Sequence, residues 1–233
     1  MNLLAVETST ELCSIALFLN GEIVVNEKAA GQRHSDMLLG MTSDLLAEHQ
    51  VSVADLDGFA FGAGPGSFTG LRIACGVVQG MALGAQRKVL GISSLLALAE
   101  ASAGERVIAA LDARMGETYL AAYEYHDARW QVVIEPCLVD ASSLPALSGN
   151  QWLGIGSGFD NHAYLAEHYQ PQLAGILTAR LPSARAIVKL AAREFAAGGG
   201  IAPELAAPLY IRDKVALTIV ERRNMLDREV VRS

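Results

Sequence analysis

The glycine-rich loop Gly62-Ala63-Gly64-Pro65-Gly66-Ser67 stands between a buried strand at Phe59-Ala60-Phe61 and a long helix. Glycines at such a corner let backbone N–H groups approach a phosphate at the positive end of the helix. Two carboxylates, Glu7 and Asp112, each close an apolar strand, and the hydroxyl-rich Thr8-Ser9-Thr10 follows the first. As cofactor-binding candidates, Glu7, Thr8 and Ser9 would face a phosphate, with Asp112 as a base or Mg²⁺ contact. An acid at a strand end is also common without function. The five histidines (His34, His49, His126, His162, His168) form no His-x-x-x-His or His-Glu-x-x-His pair, and six residues separate His162 from His168 on different helix faces. No metal site is expected from them. Cys13, Cys75 and Cys137 are far apart and fit reduced thiols in the cytoplasm.

Known phosphate motifs do not fit the loop. A Walker A loop needs a lysine after its last glycine, and none follows Gly66. The Gly62-x-Gly64-x-Gly66 spacing is not the Rossmann fingerprint, nor is the segment a Gly-x-Ser-x-Gly elbow. The helix after the loop offers a second reading. Ser67 is its N-cap, it runs to Ala85, and Gly76, Gly80 and Gly84 recur every fourth residue. Three interior glycines cost a helix about 2–3 kcal/mol in total relative to alanine. Close approach of another backbone would offset that, supplied either by a second helix of this chain or by a different chain.

The elements around these residues are predicted from periodicity. Leu3–Glu7, Cys13–Leu19 and Glu22–Glu27 read as three strands, the last two joined by the hairpin signal Asn20-Gly21. His34 or Ser35 is expected to cap a helix to about His49, with Leu38, Met41 and Leu45 on one face and Leu39 and Leu46 widening it. Lys88–Ile92 is a strand and Ser93–Ala103 a helix, with a domain boundary at Gly104-Glu105-Arg106. The second half begins again in the same way: Val107–Asp112, Thr118–Tyr125 and Trp130–Ile134 are strands. A short helix capped by Ser142 or Ser143, a strand at Trp152–Ile155, a helix near Asn161–His168 and a helix at Ser183–Ala197 follow. Pro203–Thr218 is expected to be extended and irregular, and the charged Glu221–Ser233 to fray or dock on a partner.

Composition narrows the function. Of 233 residues, 52% are hydrophobic and 18% charged, which excludes extended disorder. A net charge of −7 without basic runs argues against this chain supplying the main grip on a nucleic acid. The start, Met1-Asn2-Leu3-Leu4-Ala5-Val6-Glu7, is no signal peptide, and no apolar run is read as a membrane span.

Three segments together carry a family resemblance: Leu4-Ala5-Val6-Glu7-Thr8-Ser9-Thr10, Gly64-Pro65-Gly66-Ser67-Phe68-Thr69-Gly70-Leu71-Arg72, and Leu111–Glu117 with Tyr119. With them the chain resembles the bacterial TsaB (YeaZ) family, related to TsaD, over essentially its whole length. The resemblance implies an α/β, actin/hexokinase-like (ASKHA) fold of two related domains with mixed sheets. The domains are expected at 1–104 and 105–233, with the terminal segment returning to the first. It further implies a part in forming threonylcarbamoyladenosine beside the tRNA anticodon, with a TsaD-type transferase and a TsaE-type ATPase as partners, and a homodimer when alone. TsaD proteins carry a metal-binding His-x-x-x-His after the strand that follows the glycine helix. Ser94 and Leu98 stand at those positions here, so the transferase metal site is expected to be missing.

The leading expectation is therefore a non-catalytic, cytoplasmic partner protein that meets tRNA only indirectly. Leu38, Met41, Leu45, Arg72, Gly76, Gly80 and Gly84 are its candidate partner-contact residues. The alternative is a small-molecule kinase or ATPase of the same fold. A metalloprotease reading fails on absent ligands, and no cofactor is expected beyond weak binding of nucleotide.

Overall fold

In the first half of the chain, alternate residues of each central strand go to opposite sides. Leu4 and Val6 of β1 (Asn2–Glu7) and Ile15 and Leu17 of β2 (Leu12–Leu19) enter one buried cluster, while Leu3, Ala5 and Ala16 enter another. A strand apolar on both faces must be covered on both, and the fold supplies a helical layer on each side. The computed structural model describes residues 1–212. The expectations for 213–233, including a fraying or docking Glu221–Ser233, lie outside them.

The first sheet adds β3 (Glu22–Ala29), β4 (Gly58–Gly64) and β5 (Lys88–Ser93) in the order β3-β2-β1-β4-β5, with the meander antiparallel and β4 and β5 parallel to β1. Asn20 and Gly21 take positive φ, 51° and 102°, in the tight turn predicted for them. The second sheet contains β6 (Arg106–Arg114), β7 (Glu117–His126), β8 (Arg129–Val139), β9 (Trp152–Ile155) and β10 (Leu173–Leu177). Its order, β10-β9-β6-β7-β8, is the first sheet's order reversed, so β6 corresponds to β1 and the two halves share one topology. This is the actin-like two-domain fold.

Helices complete the layers. On the outer face of the first sheet lie α1 (His34–Glu48) and α2 (Phe68–Ala85), and on the outer face of the second lie α4 (Ser157–Asn161) and α5 (Ala163–Tyr169). The helices that follow the last strand of each half cross over. α3 (Ser94–Ala101) follows β5 but sends Leu95, Leu98 and Ala99 into the second sheet's cluster. α6 (Ala184–Ala196) follows β10 but lays Ile187, Val188 and Ala191 on the first sheet. The first unit is thus built from the start of the chain together with residues 184–212.

The crossed helices are pinned by one acid. Glu100 on α3, with its side chain 4% exposed, accepts hydrogen bonds from Lys189 Nζ (2.7 Å), both terminal nitrogens of Arg193 (2.9 and 3.0 Å), and Trp130 Nε1 on β8 (2.6 Å). Burial pushes its carboxyl upward, but Lys189, Trp130 and Arg193 outweigh that and hold it below the usual carboxylate range. A depressed folded value means stability present above the unfolded pKa and lost as pH falls through the folded one. Glu100→Gln should lower unfolding stability by about 1–2 kcal/mol, the low end for charged hydrogen bonds because both cations are half exposed. Urea titrations from pH 7 downward should show a flatter acid limb for the variant.

Several local expectations are corrected. α1 is capped by Arg33, while His34 is buried with Nε2 3.4 Å from the Leu12 carbonyl. Neither Ser142 nor Ser143 starts a helix, because both hydrogen-bond to Asp140 in a turn. β8 runs on to Val139 past the predicted Ile134, and β10 has no counterpart in the sequence reading. Ser183 is the N-cap of α6 but makes no side-chain cap bond. α2 is long and apolar enough, by length and composition alone, to cross a bilayer, a property the sequence reading missed. Its apolar inner side, Ala74, Val78 and Ala82, packs in the first sheet's cluster.

Candidate functional site

The loop and α2 are joined as predicted but divided differently. Gly62 to Gly64 continue β4, a strand buried along its whole length, leaving only Pro65-Gly66-Ser67 as the turn. Ser67 Oγ accepts from the Gly70 amide at 3.3 Å, and the Ser67 amide donates to the Ser9 carbonyl at 2.7 Å. The turn thereby locks to the residues after β1. A β-carbon on Gly70 would meet the Thr8 carbonyl oxygen at 2.0 Å, so only glycine fits where α2 crosses the end of β1.

Glu7 is the clearest displacement from expectation. It is fully buried, its Oε1 accepting from the Ser9 amide at 2.6 Å and its Oε2 from Ser94 Oγ at 2.8 Å. It lies across Gly62, where a β-carbon would stand 2.0 Å from Oε2. Burial dominates and raises its carboxyl above the ordinary value, against those hydrogen bonds. Thr8 is buried too, with its hydroxyl donating to the Gly70 carbonyl at 2.8 Å. Neither faces a phosphate-sized space; both brace the end of β1.

Ser9 and Asp112, by contrast, line a cleft between the two sheets, about 680 Å³ in volume. Asp112 accepts from the Arg114 amide at 2.8 Å and Asn161 Nδ2 at 3.3 Å, and lies 3.1 Å from His162 Nε2. Burial raises its carboxyl, but the Arg114 amide, the His162 ring and the Arg114 charge prevail and hold it below the usual range. An acid so held is ionised and well partnered, which suits it poorly to accept a proton near neutral pH. The other wall is a strap at 203–212, which the sequence reading did not single out as functional. Leu209 donates to the Ala63 carbonyl at 2.7 Å, and Arg212 pairs with Glu117 across the cleft. The only cues to it in the sequence were Pro203, Pro208 and an isolated Tyr210.

A TsaD-like metal does not fit the residues present. Ser94 is bonded to Glu7 and Leu98 is buried under the second sheet, so neither position offers a ligand.

The candidate contact residues separate into two groups. Leu38, Met41 and Leu45 are at most 3% exposed and belong to the first sheet's own core, so they offer no side-chain surface to a partner. The expectation for them fails because this side of the first sheet needs cover, and this face of α1 supplies it over β2 beside α2. What α1 leaves outside includes Leu39, 58% exposed. On α2, Gly76, Gly80 and Gly84 are exposed, and β-carbons built on them meet nothing within 4 Å among the described residues. Four-residue spacing puts them opposite Ala74, Val78 and Ala82, with Leu83, 52% exposed, beside them. The ladder therefore does not receive α1. Arg72 heads the same stripe, but its side chain is engaged within the chain. Its Nε donates to Tyr210 Oη at 2.8 Å and its guanidinium lies 3.7 Å from the Phe68 ring centroid.

Residues 22–217 match the family model described as TsaD: tRNA N6-adenosine threonylcarbamoyltransferase. The chain is 35% identical over 230 residues to the tRNA threonylcarbamoyladenosine biosynthesis protein TsaB of Escherichia coli (strain K12), covering 93% of this chain and 96% of that one. It is 33% identical to the protein of that name from Haemophilus influenzae, covering 92% and 95%. A solved structure of YeaZ from Pseudomonas aeruginosa is similar with a TM-score of 0.79 at 36% identity, covering 90% of this chain and 99% of that one. Another structure from that organism, of an uncharacterized protein with similarity to peptidase YEAZ, has a TM-score of 0.83 at 36% identity, covering 91% and 99%.

Proposed function

The chain belongs to the TsaB (YeaZ) family, and from that premise we propose that it is a non-catalytic, docking subunit in tRNA threonylcarbamoyladenosine biosynthesis. Membership carries the pathway itself. The docking role rests on one observation: α2 keeps three glycines and Leu83 on the side away from its core, with nothing from the described residues upon the glycines. A side-chain-free stripe lets a second helix approach to backbone distance, which offsets the propensity the glycines forfeit. The partner is a TsaD-type transferase, with a TsaE-type ATPase joining the pair. A second copy of this chain takes the same face when the transferase is absent. That Ser94 and Leu98 replace a histidine pair supports leaving the chemistry to the partner.

The test is tRNA modification by purified transferase and ATPase, with and without this chain. Activity should fall by at least about tenfold, or 1.4 kcal/mol of transition-state stabilisation, when the chain is omitted. Unchanged activity would overturn the docking-subunit reading. A kinase or ATPase reading would need Mg-ATP turnover by the chain alone, which calorimetric titration followed by a phosphate-release assay would detect. The buried Glu7 and Thr8 leave that reading with Ser9 and Asp112 only.

A further inference from the structure

We propose that Tyr210 is a positioning residue for the α2 docking face, clamping Arg72 away from the glycine stripe so that a partner helix can lie on it. The inference rests on the docking reading of α2 and adds a component outside that helix.

Arg72 is the one charged side chain on the exposed stripe that continues through Gly76, Gly80 and Gly84. Helix geometry favours a side chain at 72 lying back over Phe68, yet a long unpinned arginine still reaches over the bare stripe at Gly76, one turn on. Here the side chain lies along the favoured direction and is held there. Its guanidinium stacks at 3.7 Å on Phe68, one turn earlier, and its Nε is fixed by Tyr210 Oη. The Tyr210 and Phe68 rings lie 5.4 Å apart at 38°, so the cation is held at an aromatic pair.

The clamp is anchored at both ends of the strap. Leu209 is bonded to Ala63 at the end of β4, Gln79 on α2 donates to the Pro203 carbonyl at 2.8 Å, and Arg212 reaches Glu117 on the second sheet. The strap also forms a wall of the interdomain cleft. Clearance over Gly76 thus depends on residues more than a hundred positions along the chain, and on a segment tied to both domains.

The experiment measures affinity of the full chain for the TsaD-type transferase from the same genome, by calorimetry or surface-based kinetics, with thermal unfolding as a control. Tyr210 is 45% exposed, so its removal leaves the core intact. Tyr210→Ala should weaken binding roughly tenfold, equivalent to about 1.4 kcal/mol. Tyr210→Phe, which keeps the ring but loses the hydrogen bond, should fall between. The decisive arm is the double variant: once the guanidinium is gone no clamp is needed, so Arg72→Ala with Tyr210→Ala should bind within about twofold of the wild type. Arg72→Ala alone should bind as the wild type does. If Arg72→Ala alone weakens binding as much as Tyr210→Ala, Arg72 contacts the partner directly and the clamp is overturned. No effect of Tyr210→Ala overturns it as well. Gly80→Trp separates the two readings: if it too leaves binding intact, the docking face is wrong and the clamp falls with it. If Gly80→Trp abolishes binding while Tyr210→Ala does not affect it, only the clamp falls.

Discussion

Gly80→Trp should abolish association with a TsaD-type transferase while leaving the isolated chain folded, its melting temperature within a few degrees of the wild type. The two halves of that result have separate causes. A β-carbon at position 80 meets nothing within 4 Å among the described residues, so the large side chain does not enter the core. The same is true at 76 and 84, which makes a gentler variant informative. Replacing all three glycines with alanine should stabilise the isolated chain by about 2–3 kcal/mol, since each interior helix glycine costs about 1 kcal/mol and nothing within the described residues offsets it. The same triple variant should weaken docking, because three methyl groups hold the approaching backbone away. Chemical denaturation measures the first effect and transferase affinity the second. A variant that is more stable and binds equally well would show that the ladder is not a contact. The opposed outcome, stability lost on the Gly→Ala changes, would overturn the reading of the stripe as open.

Glu7 should give the largest effect on the fold itself. Glu7→Ala leaves the buried Ser9 amide and Ser94 hydroxyl without their acceptor, and one orphaned buried donor costs about 1–3 kcal/mol. Because that amide holds the turn to which Ser67 is bonded, hydrogen exchange should quicken at residues 8–10 and at the first turn of α2. Glu7→Gln behaves differently. An amide keeps an acceptor for the Ser9 N–H and can donate to Ser94 Oγ, so packing survives. The pH dependence then separates charge from shape. Burial raises the carboxyl of Glu7 in the fold, so its contribution is fully present below the unfolded value near 4.5 and is lost as pH rises through the raised folded value. Glu7→Gln removes that term and should gain on the wild type with rising pH across this window, as read from urea midpoints. A difference between the two proteins that stays constant with pH would show that Glu7 does not titrate differently on folding.

These outcomes bear on why two sheets of one topology serve different ends. Glu7 and Asp112 lie near the ends of corresponding strands, β1 and β6, which suggests a matched pair of acids across a cleft. Only Asp112 lines the cleft. Gly62 on the neighbouring strand leaves room beneath β1 for the Glu7 side chain to fold inward, where Ser94 receives it. Ser94 stands where the resemblance to TsaD implied a metal ligand, and its hydroxyl instead donates a hydrogen bond to a buried acid.

Local chemistry made much of this protein legible from its residues. The Asn20-Gly21 turn, the Ser67 cap, the length of α2, the restart of the architecture at Arg106 and the family motif from Gly64 to Arg72 all depend on neighbours in the chain, which periodicity and capping rules report directly. Which side of a helix is free depends instead on what covers it from far away. Leu38, Met41 and Leu45 look like a partner face until β2 and β4 claim them, and α3 and α6 exchange sheets without any sequence cue. The carboxylate of Glu100 and the ring of Tyr210 belong to single residues whose partners, from Trp130 to Phe68, lie far away in the chain, so no local pattern marks them. The family, the two-fold repetition of topology and the glycine ladder are all written in spacing and residue type. Tertiary structure alone decided that the ladder is open, that Glu7 is a brace, and that Arg72 is held aside, because exposure and pairing are set by segments that meet only on folding.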